Sequence, residues 1–225
     1  MKSIFSTPWI TTVEPRPNAR IRLFCFPYSG GGASVFHRWS SHLPPTMEVC
    51  PIRLPGRENR IREAPLDRLL PLVKALTDDL MPYVEVPFAF FGHSMGALAS
   101  FETARQLRRE HALLPVHLLV SGCRAPQIPN PYPPLYALPD PEFLEELRLL
   151  NGIPQQALEY PELIELMLPT LRADFAVYDT YTYSTEPPLE CPISAFGGLQ
   201  DGRVSQDDLA AWREQTSASF SLQLF

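Results

Sequence analysis

An α/β architecture, a mostly parallel sheet flanked by helices, is what three features of this 225-residue sequence predict. Short apolar runs alternate with amphipathic stretches of helical length, a Gly-His-Ser-Met-Gly turn follows one such run directly, and a glycine-rich turn ends another. Strands joined through helices are connected by crossovers, which make neighbouring strands parallel and leave helices covering the sheet faces.

Each element can be justified in chain order. Residues 21–26 read as a strand that Pro27-Tyr28-Ser29-Gly30-Gly31-Gly32 terminates, with a helical stretch expected over 33–43. A second strand over 48–54 leads through Pro55-Gly56-Arg57-Glu58-Asn59-Arg60 to an amphipathic helix over about 66–81. The run 86–91 delivers the chain to Gly92-His93-Ser94-Met95-Gly96, and Leu98, Phe101, Ala104 and Leu107 mark the buried face of the helix that follows. A fourth strand covers 116–120. The rhythm then breaks. A proline-rich stretch from Arg124 to Pro139 precedes a helix capped by Asp140 with Pro141 at its first position, running to Asn151-Gly152, and more helical pattern fills 161 to about 178. This excursion, about 124–185, is expected to form a lid over the carboxyl edge of the sheet; packing helices on a sheet face are the plainer reading. A strand over 192–196, the turn Gly197-Gly198-Leu199-Gln200-Asp201, a helix over 206–215 opened by a Ser205/Asp208 capping box, and a last strand over 220–225 complete a chain of single-domain size.

Composition narrows the function classes. The net charge is −6 and Lys2 and Lys74 are the only lysines, so no basic stripe exists for nucleic acid. No window approaches the ~20 apolar residues of a membrane span, and the first residues carry no targeting pattern. Cys25, Cys50, Cys123 and Cys191 are widely spaced and mostly lie in apolar runs, which predicts buried free thiols in a reduced, cytoplasmic protein. No histidine has ligand spacing with cysteines or carboxylates, so no metal is expected, and no cofactor is implied.

The chemistry concentrates at strand ends. A tight strand-to-helix turn pushes Ser94 out above the sheet as a nucleophile, with glycines where side chains would not fit. The backbone amide of Met95 and one from the turn after residue 26, with Ser29 ahead of Tyr28, are candidates for an oxyanion hole. The sequence after 120 offers no acid, whereas Asp201 closes a glycine-softened turn after 196 and is assigned the orienting carboxylate; Asp174 and Asp179, in the helical excursion, are weaker candidates. A base is harder to find. His93 belongs to the elbow, where its ring is expected to point away from the site and to pack or hydrogen-bond. His37 and His42 ride the stretch after the first turn, and His111 and His117 flank a strand expected at the far edge of the sheet. The position for the base falls just past Phe225, so residues 1–225 by themselves are expected to be nearly inactive. Arg57 and Arg60 are read either as contacts for a phosphate or an acidic partner or as solvated loop arginines.

Six blocks in order resemble the stand-alone type II thioesterases of polyketide and non-ribosomal peptide synthesis. They are Phe26-Pro27-Tyr28-Ser29-Gly30-Gly31, Leu54-Pro55-Gly56-Arg57-Glu58, Gly92-His93-Ser94-Met95-Gly96, Ser121-Gly122-Cys123-Arg124-Ala125-Pro126, Leu171-Arg172-Ala173-Asp174-Phe175, and Gly197-Gly198 with Asp201. The resemblance implies an α/β-hydrolase fold with a helical lid and hydrolysis of acyl or aminoacyl thioesters on the phosphopantetheine arms of acyl and peptidyl carrier proteins, which clears stalled synthases. It also implies Ser94 and Asp201 as triad members and a base histidine after the last strand. A carboxylesterase or lipase with the same triad, and a catalytically silent carrier-binding module, are the alternative readings.

Overall fold

The computed structural model describes residues 7–12, 14–150 and 160–225. One sheet contains β1 (Ile21–Phe26), β2 (Met47–Pro51), β3 (Phe88–His93), β4 (His117–Ser121), β5 (Ile193–Gly197) and β6 (Phe220–Leu224). Their order across the sheet is β2-β1-β3-β4-β5-β6, and every neighbouring pair is parallel. The helices are α1 (Leu69–Leu80), α2 (Met95–His111), α3 (Asp140–Leu149), α4 (Pro161–Asp179) and α5 (Gln206–Ala210).

Side-chain alternation along β1 explains why its sequence from Leu23 to Phe26 is an unbroken apolar run. Phe24 and Phe26 enter one cluster with Phe90, Leu118 and Val120, packed by α1, α2 and Trp212, whereas Leu23 and Cys25 enter another with Val49, Ala89 and Phe36. Both faces of the central strands are therefore dry. The chain passes from β1 to β2 on one side and returns to place β3 on the other, so the loops after β1 and β3 diverge. A crevice opens beyond the carboxyl ends of strands at such a switch point. Ser29 follows one of these strands and Ser94 the other.

Three local expectations are corrected. Residues 33–43 form no α-helix but two short 3-10 turns, Ala33–Phe36 and Trp39–Ser41. The Glu58 carboxylate, from outside the segment, accepts from the N–H groups of Ala33 and Ser34, and Phe36 and Trp39 fold edge-to-face over the sheet. Asp140 does not cap α3: it is the first helical residue, and its carboxylate pairs instead with Arg172 of α4, whose guanidinium lies 4.5 Å above the Phe143 ring. β4 is an interior strand, so His111 and His117 do not mark a sheet edge. The expected end of α3 at Asn151-Gly152 lies outside the described residues. The Ser205/Asp208 capping box forms as read, with both reciprocal bonds present.

Candidate active site

Ser94 links β3 to α2 with φ 53° and ψ −120°, a backbone conformation that side-chain-bearing residues rarely adopt. The glycines on either side make it possible. A Cβ on Gly92 would lie 2.2 Å from the Gly96 carbonyl oxygen, and one on Gly96 would lie 2.3 Å from the Phe26 carbonyl oxygen. The elbow thus packs directly against the end of β1. Ser94 N–H donates to the Ser121 carbonyl at 2.8 Å, tying the turn to β4, while Met95 N–H belongs to the first turn of α2, where amides have no intrahelical acceptor.

The turn after β1 is engaged on both sides of Ser29. Gly30 N–H donates to the Asp174 carboxylate at 2.7 Å and Gly31 N–H to the Tyr28 carbonyl at 2.8 Å; among the described residues the Ser29 N–H makes no such bond. Beyond β5, Asp201 is exposed, and its Oδ1 accepts from the N–H groups of Arg203 and Val204, which fixes the turn while leaving Oδ2 outside these bonds. Ser29, Ser94 and Asp201 line one cavity of about 990 Å³, together with Tyr28, His93 and Phe225. Side chains of the excursion, including Leu149, Phe175, Tyr178 and Asp179, form another wall.

His93 borders this cavity, which corrects the expectation that its ring points away from it. Its Nδ1 lies 3.1 Å from Ser121 Oγ, and the ring meets Tyr28 edge-on at 5.8 Å. Gly122, at φ 56°, leaves room for the imidazole, since a Cβ there would sit 2.7 Å from His93 Cε1. Burial holds the His93 imidazole below its ordinary pKa, and the negative charge of Asp201 offsets only part of that shift.

The thioesterase domain family matches the chain over residues 21–225. The chain belongs to the thioesterase domain family. Among its relatives, the gramicidin S biosynthesis protein GrsT of Aneurinibacillus migulanus is 49% identical over 217 residues, covering 96% of this chain and 85% of that protein. Thioesterase PikA5 of Streptomyces venezuelae is 38% identical over 218 residues, covering 96% and 77%. The structure of the type II thioesterase BorB from the borrelidin biosynthetic cluster superposes with a TM-score of 0.89 at 36% identity, covering 99% of this chain and 91% of that one. The fold is that of the α/β-hydrolase thioesterases, and the protein is a hydrolase acting on thioester bonds.

Arg57 and Arg60 make contacts different from those expected. Arg57 and Arg60 are neither solvated nor turned outward: both are 7% exposed. Arg57 forks onto Asp174 with two 2.7 Å bonds, and Arg60 forks onto Glu63, donates to the Arg53 carbonyl at 2.8 Å, and lies 4.3 Å above the Trp9 ring. Both Asp174 oxygens are engaged by Arg57 and Gly30, and Asp174 does not line the cavity that Ser94 and Asp201 share. Asp179 reaches the cavity wall but accepts from Leu135 N–H at 2.7 Å; burial raises its carboxyl pKa despite that bond. His117 bonds Ser194 Oγ through Nε2 at 2.9 Å. The four cysteines are free and buried, and burial pushes the Cys123 thiol up to about 12 and Cys191 up to about 11. Among the described residues no cluster of three or more His, Cys, Asp or Glu is placed to hold a metal ion, and no helix is long and apolar enough to cross a membrane.

Proposed function

We propose that the thioesterase cleaves acyl or aminoacyl groups from the phosphopantetheine arms of acyl and peptidyl carrier proteins through an acyl-Ser94 intermediate. The observation that carries this reading is the partly exposed serine at φ 53° sharing one cavity with Ser29 and Asp201. Ser94 Oγ attacks the thioester carbonyl carbon, the carbonyl oxygen takes up negative charge facing the N–H groups of Ser29 and Met95, and the C–S bond breaks to release the carrier thiol. Water then attacks the acyl-serine and restores the hydroxyl. A thiol with a pKa near 8.5 leaves with little protonation, so a base serves chiefly to activate Ser94 and then water. Asp201 orients that base. The resemblance places the base on the segment after β6, and Phe225 at the tip of β6 already lines the cavity. Of the histidines within residues 1–225, His93 lines it too, but Ser121 holds its Nδ1.

The excursion serves as the lid, a reading supported by Leu149, Phe175 and Tyr178 on the cavity wall. Relatives in antibiotic pathways support the carrier-bound substrate, the unpaired cysteines a reducing cytoplasmic setting, and the net charge of −6 a partner other than nucleic acid or membrane. Thiol release from acyl-carrier thioesters, compared with cleavage of a small oxygen ester, tests the substrate class. Faster thiol release is the expected result. Preferential ester cleavage points to a carboxylesterase, and stoichiometric carrier binding without thiol release points to a silent docking module.

A further inference from the structure

Three segments far apart in sequence converge behind the turn that carries Ser29. Arg57, in the loop after β2, and Asp174, on α4, form a buried fork in which Nη1 and Nη2 each lie 2.7 Å from a carboxylate oxygen. The same two groups grip the turn. Asp174 Oδ2 accepts from Gly30 N–H at 2.7 Å, and Arg57 Nη1 donates to the Gly31 carbonyl at 2.9 Å. Leu171, one turn earlier on α4, fills the space that a Gly30 Cβ would need, at 2.5 Å, with Gly30 at φ 80°. Farther along the turn, the Glu58 carboxylate accepts from Ala33 and Ser34 N–H and occupies the space beside Gly32, where a Cβ would lie 2.3 Å from Oε1.

Stability alone explains this arrangement poorly. Removing two charges from water costs several kcal/mol per ion, and buried ion pairs often give no net gain over an apolar core of the same shape. What the pair supplies is direction. A planar fork fixes the carboxylate in two bonds, and the fixed carboxylate sets the Gly30 amide, so the adjacent peptide has one orientation. That adjacent peptide carries the Ser29 N–H.

We propose that Arg57 and Asp174 are positioning residues for thioester hydrolysis, holding the turn 28–32 so that the Ser29 N–H faces the oxyanion. The proposal rests on the reading of Ser94 as nucleophile and Ser29 as donor. An oxyanion donor acts only if it is placed before charge develops, and small misplacements are costly for groups remote from the reacting bond. The clamp also gives three blocks of the family resemblance, around Tyr28, Arg57 and Asp174, a common physical task.

The test compares affinity for an alkyl boronic acid, which forms a tetrahedral adduct on serine, with affinity for an unreactive thioether analogue of the substrate and with Tm. Asp174→Asn and Arg57→Lys are expected to weaken the boronate by about 10- to 100-fold while thioether affinity changes little, and the Gly30 amide NMR resonance to shift; Tm is expected to fall as well, most in Asp174→Asn, which leaves a buried guanidinium unpaired. Where the buried substitutions prevent folding, Leu171→Met, which nearly conserves volume in the apolar cluster shared with Phe143, Leu147 and Ile164 but reshapes the contact on Gly30, is expected to weaken the boronate selectively to a smaller degree. Wild-type boronate affinity in the folded variants, or boronate and thioether affinities falling by the same factor, overturns the positioning role. The Ser94→Ala control separates the two levels: if it binds the boronate as the wild type does, the nucleophile assignment itself fails, and the proposal with it.

Discussion

Ser94 holds a backbone conformation that costs on the order of 1–3 kcal/mol in a residue bearing a side chain, and its neighbours sustain it by leaving no alternative path. Gly96→Ala tests this directly. Alanine raises helix propensity by up to about 1 kcal/mol, but its Cβ would lie 2.3 Å from a backbone carbonyl oxygen that cannot swing aside. The clash is expected to win, with a net loss of about 1–3 kcal/mol in urea unfolding and a fall in activity. A more stable Gly96→Ala protein contradicts the close-approach account. The half-buried imidazoles of His93 and His117 make a second prediction. Burial depresses both pKa values, partly offset at His93 by Asp201. Between those depressed values and about 6.5 the unfolded chain binds more protons than the folded one, so stability is full above about pH 6.5 and falls as pH drops through that window. Replacing both with glutamine is expected to flatten this part of the urea-midpoint profile against pH; an unchanged slope assigns the acid sensitivity to other groups.

At the scale of elements, legibility follows the range of the interactions that fix each one. The apolar run of β1, the α2 stripe and the Ser205/Asp208 box are set by neighbours within a few residues, and each forms as the sequence suggests. Ser205→Ala is accordingly expected to cost about 1 kcal/mol in equilibrium unfolding, and Ser205→Gly only a few tenths. The segment 33–43 misleads because its first amides are satisfied by Glu58, a residue with φ 50° in a different loop. Asp140 misleads for the same reason, since Arg172 on α4 takes the carboxylate that local spacing assigns to a cap. The pairing of Arg57 with Asp174 spans 117 residues and leaves no periodic mark in either segment.

Across the whole molecule, the sequence shows which strand ends carry chemistry, while the sheet order shows why they meet. β1 and β3 are neighbours at the point where the connections diverge, so the Ser29 turn and the Ser94 elbow border one crevice, and β5 brings Asp201 to the same cavity from two strands away. Composition could signal a core of this size but not this order. The location of Ser94 was legible because strain needs glycine on both sides; the status of His93 was not, because the room for its ring depends on Gly122, a strand away.

The most direct test measures thiol release from an acyl-carrier thioester by residues 1–225 and by Ser94→Ala, each with and without added imidazole so that a base can be supplied from solution. The account predicts slow release by the unsubstituted protein that imidazole accelerates, and no acceleration by imidazole in Ser94→Ala, because triad losses are not additive and the base then has no hydroxyl to activate. Equal rates for the two proteins under both conditions would contradict it.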